Sequence, residues 1–173
     1  MDAIASRYLR HALNASVRSA PSDRGSANPI NGAIRLRTHS CSLVSSTRTP
    51  RLAPSFAAAS RVSSDVSVDT LLEGIDHNAT HVLAFSDGDY TTNLPLEDVS
   101  DGKAWVAFGY DGEPLAPEHG GPARLLVPHL YFWKSAKWVR GLQLMDHDEA
   151  GFWESYGYHM YGDPWREQRY AGD

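Results

Sequence analysis

The chain has 173 residues, 42% of them hydrophobic and 21% charged, with a formal net charge of −5. That is the size and composition of one ordinary soluble domain. No run approaches the roughly 18 apolar residues of a membrane span, and the single Cys41 excludes an intrachain disulfide. Charge is unevenly spread: residues 1–62 carry nine Arg, no Lys and two acids, whereas residues 63–173 carry seven Lys and Arg against nineteen acids. So acidic a C-terminal portion argues against general nucleic-acid binding, which rests on cations placed against phosphates.

Residues 1–62 hold eleven Ser and two aromatics, Tyr8 and Phe56, in fragments such as "SAPSDRGSANP". Such text buries too little apolar surface to offset chain entropy, so the segment reads as largely disordered. Two origins stay open. An Arg- and Ser-rich, acid-poor leader has the composition of an organellar transit peptide, with Ile4, Tyr8, Leu9 and Leu13 as a weak apolar stripe. Alternatively the segment is non-native, read from a wrong start or frame, and this is the reading favoured here. A cytoplasmic protein is then expected, with an organellar one the alternative.

From Val66 the text is that of a folded domain, residues 63–173. "VSVDTLLEGI" predicts a short helix with Ser67 as N-cap and Gly74 at its C-terminal left-handed position. "HVLAFS" predicts a buried strand, "DGD" a turn, and "YTTNLPL" an extended piece broken at Pro95. "KAWVAFGYDGEPL" predicts an apolar strand over 104–110 that runs into the Asp111-Gly112 turn. "ARLLVP" and "AKWVRGLQLMD" predict two more strands, the second alternating Trp138, Arg140, Leu142 and Leu144 against Val139, Gly141, Gln143 and Met145. The fold class is α+β with β dominant. Beyond Asp146, "GFWESYGYHMYGDPWREQRY" packs seven aromatics into twenty residues. It reads as an arm that wraps the domain and buries its rings one by one; a base-stacking platform is the alternative, against which the surrounding acids argue. "MDHDEAG" reads as a solvated acidic turn rather than a metal site.

The stretch "PEHGGPARLLVPHLYFWKSAKWV" sets His119, Arg124, Lys134 and Lys137 among glycines, prolines and aromatics. Gly-Gly-Pro permits a turn that something can approach closely. Arg offers a planar fork of donors and Lys a compact charge, while Ser135 and main-chain N–H groups can fill the remaining acceptors of a phosphate-like anion. The bland alternative is that these cations only offset the nineteen acids.

The series "GDYTTNLPLEDV", "VAFGYDGEPLAPEHGGPARLLVP", "FWKSAKWVRGLQLMD" and "GFWESYGYHMYGDPWREQRY" resembles the C-terminal half of the sulfite-oxidase-like molybdopterin-dependent oxidoreductases. The likeness is greatest to the small bacterial branch, which lacks the haem and dimerisation domains of animal sulfite oxidase. It runs from about Val66 to the C-terminus. The resemblance implies a sulfite-oxidase-type molybdopterin-binding domain, incomplete on its N-terminal side, with a molybdenum-molybdopterin cofactor and no haem. His119 and Arg124 match the family's H-G-x-P-x-R positions on the cofactor. Ser135, Ala136 and Lys137 match the segment that meets the pterin phosphate. Asp87 falls near another pterin contact, and Tyr90 near the substrate pocket.

The implied chemistry is two-electron or oxygen-atom transfer at molybdenum on a small oxyanion or sulfoxide-like substrate, with electrons passing to or from a partner that the sequence does not name. The metal needs a soft thiolate ligand. In the family it comes from a Cys upstream of the position of Val66, and here Cys41 in "RTHSCSLVSSTR" is the one cysteine, its His39 displaced by one residue from the family's H-C pattern. Two functions follow: a molybdenum oxidoreductase, or a truncated non-catalytic fragment that keeps part of a pterin-binding surface without holding the metal. The substrate, the nucleotide form of the pterin and the oligomeric state are not written in the sequence.

Overall fold

Strands and short turns make up nearly all the regular structure of the computed structural model, which describes residues 16–19, 32–35 and 61–173. In chain order these are β1 (Ser16–Ser19), β2 (Gly32–Arg35), β3 (Val62–Ser67), helix α1 (Val68–Leu72), β4 (His81–Ser86), β5 (Thr91–Pro95), β6 (Trp105–Tyr110), β7 (Glu113–Pro114), β8 (Arg124–Leu126), β9 (Val139–Met145) and helix α2 (Phe152–Ser155). The class is α+β with strands dominant, as the sequence predicts. Most of residues 1–62 lies outside the described residues, Cys41 and His39 included.

The strands pair antiparallel into two sheets, one ordered β1-β2-β9-β4-β5 and the other β3-β6-β7, with β8 also on β6. Strand β6 is the spine of the second sheet. Its residues 105–107 pair with both β3 and β8, so those two strands flank it on opposite edges. Residues Asp111 and Gly112, at φ 52° and 86°, form the tight turn that the Asp-Gly pair predicts and fold β7 back onto β6.

Alternation decides what each strand buries. In β4, Val82 and Ala84 are fully buried while His81, Leu83 and Phe85 are only half covered. Strand β9 departs from the simple alternation. Ser86 faces Val139 and Phe85 faces Gly141, so Arg140 is the extra residue of a bulge. A bulge shifts side-chain parity by one. Val139 before it and Leu142 and Leu144 after it are therefore all buried, while Trp138 and Arg140 stay exposed.

One apolar core draws on both sheets: Ile34, Val82, Leu94, Leu142 and Leu144 from the first, Val66, Val106 and Leu125 from the second, with Val68 and Leu71 of α1 beneath. Each fully buried Val or Leu contributes about 1.5–3 kcal/mol. Ser67 caps α1 as predicted, its Oγ accepting from Thr70 N at 3.1 Å. The Asp69 carboxylate then takes the N–H groups of Asp101 and Gly102, each at 2.8 Å, and fastens the helix to the turn before β6.

The C-terminal arm differs from expectation. Its rings pack on one another along an edge rather than singly under the domain: Phe152 meets Trp153 and Tyr156, and Tyr158 meets Trp153, Trp133 and Tyr170. The reason is that the arm doubles back, Tyr158 bridging to Tyr170 and Tyr131 N–H reaching Gly162 O, so it covers Trp133 and Lys134 and leaves Phe132, Tyr156 and Trp165 outside.

Gly141 is where the two sides of β9 close most tightly. A Cβ there would lie 2.2 Å from Ile34 O and 2.4 Å from the Phe85 ring. Gly141→Ala should lower unfolding stability by about 1–3 kcal/mol, the cost of overpacking, in a denaturant titration.

Candidate cofactor site

The site is built where the two sheets meet. Residues 117–119 make a 3-10 turn opened by Pro117, and Gly120 turns left-handed at φ 104°. His119 N–H and Gly121 N–H both return to Ala116 O at 3.0 Å, which closes the loop on itself. It then runs alongside residues 135–139. Trp138 N–H donates to Gly120 O at 3.1 Å, Val139 N–H to Ala123 O at 2.9 Å, and Leu125 N–H to Ala136 O at 2.9 Å. These bonds join β8 of one sheet to the entry of β9 in the other.

The glycines are required for that approach. A Cβ on Gly120 would stand 2.9 Å from the Lys137 side chain, and one on Gly121 would stand 1.8 Å from Leu115 O. Trp138 Nε1 donates to Pro117 O at 2.8 Å and Lys137 Nζ to Glu118 O at 2.8 Å, so the second segment grips the first.

Arg124 opens β8. One guanidinium nitrogen donates to His119 O at 3.2 Å, while its Nε is buried with no hydrogen-bond partner. Burial pushes the Arg124 guanidinium below its ordinary value, and Tyr90 opposes that shift. Ser135 is buried, its Oγ accepting from Val127 N at 3.0 Å and keeping its own proton to donate. Ala136 is buried beside it.

Asp87 reaches the same place from β4, its N–H on Trp138 O at 3.1 Å and its carboxylate on Arg140 Nε at 2.5 Å. Both partners of that pair are more than half exposed, so it contributes no more than about 1 kcal/mol. Tyr90 donates its O–H to Trp133 O. Burial first, and then the Glu154 carboxylate, hold its phenol above the ordinary tyrosine range. His119, Arg124, Ser135, Ala136, Lys137, Asp87 and Tyr90 are thus linked through one set of loops. Cys41 lies outside the described residues.

The sequence also grouped Lys134 with Lys137, and the structure separates them. Lys134 is fully buried and its Nζ sits 2.6 Å from Glu154 Oε1, with Asn93 Oδ1 at 2.7 Å and Met160 O at 2.5 Å. It faces the protein rather than a ligand. The partner is twenty residues away in the aromatic arm, and no local pattern connects the two. In "MDHDEAG", His147 Nδ1 pairs with Asp146 at 2.7 Å on the exposed surface, and among the described residues no cluster of three or more His, Cys, Asp or Glu is placed to hold a metal.

The donor set suits a large anion rather than a bare metal. It comprises an arginine with a buried unpartnered N–H, an ammonium held by a carbonyl and an indole face with no carboxylate beside it, a hydroxyl proton and a glycine-rich backbone at close range. Comparison with known proteins makes the class specific. Residues 60–153 match the family described as oxidoreductase molybdopterin binding domain, and the chain belongs to that sulfite-oxidase-like family.

The chain is 50% identical over 100 residues to the uncharacterized oxidoreductase YuiH of Bacillus subtilis, a match covering 58% of this chain and 50% of the relative. It is 30% identical over 80 residues to the protein-methionine-sulfoxide reductase catalytic subunit MsrP of Gluconobacter oxydans, covering 43% of this chain and 26% of that protein. It is 26% identical over 110 residues to human mitochondrial sulfite oxidase, covering 62% of this chain and 19% of that protein. The chain thus spans half the length of the Bacillus protein and less of the others. No helix among the described residues is long and apolar enough to cross a membrane.

The seam can be tested through its glycines. Gly112 and Gly121 are both on loops, but a Cβ meets nothing at Gly112 and strikes backbone at Gly121. In thermal unfolding, Gly112→Ala should cost about 1 kcal/mol from its positive φ alone, and Gly121→Ala at least twice that with faster proteolysis of residues 117–124.

Proposed function

We propose that residues 63–173 form the pterin-holding part of a molybdopterin-dependent oxidoreductase. The whole protein would carry out two-electron, oxygen-atom transfer on a small oxyanion or sulfoxide-like substrate. The observation that carries this reading is Arg124, whose buried Nε lacks a protein partner beside the glycine seam and Lys137. An orphaned buried donor costs about 1–3 kcal/mol unless a ligand takes it up. The activities named for two relatives, sulfite oxidase and protein-methionine-sulfoxide reductase, support the substrate class.

In this reading Arg124, Lys137 and the Ser135 hydroxyl hold the anionic end of the pterin. His119 and the main chain at Ala136 line it, and Asp87 accepts from its ring donors. Tyr90 lies at the substrate side as a hydrogen-bond donor, and Cys41 is the thiolate ligand. The bound cofactor supplies the redox change. The protein's part is to bind it, orient it and keep Tyr90 protonated.

A second reading has its own support. Every candidate pterin contact falls within residues 87–137, whereas the single cysteine, Cys41, sits in a segment whose His39 is one residue off the family's H-C pattern. A chain that binds pterin without molybdenum would be such a remnant.

Molybdenum by elemental analysis and pterin by oxidised fluorescence, measured on the full chain, Cys41→Ser and Arg124→Ala, separate these. Pterin and metal should both be present in the parent. Arg124→Ala should retain about 10–100-fold less pterin, the loss of a charge-assisted contact worth about 1.5–3 kcal/mol. Cys41→Ser should keep pterin and lose molybdenum. Pterin without metal in the parent selects the remnant, and no pterin in the parent ends both readings.

A further inference from the structure

Lys134 and Glu154 are the most deeply buried charges among the described residues, with side chains 1% and 0% exposed. Glu154 Oε1 receives Lys134 Nζ at 2.6 Å and the Thr92 hydroxyl at 3.2 Å, and Oε2 is buried with no partner. Gly151 makes room for that second oxygen, since a Cβ there would come within 2.7 Å of Oε2 and 2.6 Å of Thr91 O. Lys134 also donates to Asn93 O at 3.0 Å and to Met160 O, so it fastens β5, α2 and the C-terminal arm at one point.

This point adjoins the site on both sides. Trp133, immediately before Lys134, offers the carbonyl that takes the Tyr90 O–H, and Ser135, immediately after, belongs to the cation segment. Thr92, two residues after Tyr90, donates to Glu154, and Phe152 of α2 lies against the Tyr90 ring with centroids 6.0 Å apart. A buried ion pair adds little net stability over apolar packing, so what it contributes is fixed geometry.

We propose that the Lys134–Glu154 pair is the positioning element of Tyr90, holding the phenol as a proton-bearing donor while pinning the C-terminal arm behind the cation segment. The proposal rests on the reading of Tyr90 as a group of the pterin site. The charged groups facing Tyr90 are Glu154 from α2 and Arg124 from β8, and those facing Lys134 are Glu154 and Asp148. Glu154 raises the phenol's proton affinity and Arg124 lowers it. Removing the Glu154 charge therefore makes Tyr90 easier to ionise.

The test follows tyrosinate absorbance against pH in the full chain and in Glu154→Gln, each beside its Tyr90→Phe counterpart so that the difference isolates Tyr90, with near-ultraviolet circular dichroism reporting the fold. In Glu154→Gln the ionisation of Tyr90 should shift to lower pH, with the upward push from burial remaining. An unmoved Tyr90 in the folded variant overturns the proposal. Where Glu154→Gln does not fold, Glu154→Gln with Lys134→Met removes both charges and should be more stable than either single change. A double variant no more stable than the singles means that the residues do not act as a pair, and overturns it too. The titration needs no cofactor. Its failure leaves the pterin reading standing, and a chain without pterin leaves the Glu154–Tyr90 coupling measurable while removing the site that it would serve.

Discussion

Three main-chain hydrogen bonds, from Leu125, Trp138 and Val139 to Ala136, Gly120 and Ala123, tie the second sheet to the first. Because they run between β8 and the entry of β9, the chain on each side is held flush, and only glycine fits at 120 and 121. The same contact sorts the side chains. Ala123, Leu125, Val127, Ala136 and Val139 are buried beneath the seam, and the alternation that buries them turns Arg124 away from the core. Packing and ligand chemistry therefore share one backbone. A disturbance of the seam would unsettle the core and the site together.

Much of the frame was legible because it rests on short-range rules. The Ser67 cap, the Asp111-Gly112 turn and the apolar strand before it need only neighbouring residues, and all three stand where the sequence puts them. The convergence of His119, Arg124 and Lys137 was legible for a similar reason, since the glycines mark a close approach and the cations flank it. The parity of β9 was not. A bulge at Arg140 is set by the pairing partner, Phe85 facing Gly141, and the one hint in "KWVRGLQLM", Gly141 inside the strand, fits a close backbone approach equally well. Nor was the fate of Lys134 legible. Its partner Glu154 reads as one polar residue in an aromatic run, and only folding the arm onto residues 131–134 brings the two within 2.6 Å.

The four cations near the seam show what separates a structural charge from one free for a ligand. Lys134 is neutralised by a buried carboxylate and Arg140 by an exposed one. Lys137 meets the Glu118 carbonyl and the face of the Trp138 ring, Arg124 the His119 carbonyl, and neither makes an ion pair among the described residues. A carbonyl satisfies a donor without cancelling its charge, so these two keep a local positive field. If the cations merely balanced the nineteen acids, carboxylates would be their natural partners, and the chain has acids to spare. That the seam instead offers Arg124 and Lys137 neutral partners, and leaves one buried N–H with none, is the physical ground for placing an anion there.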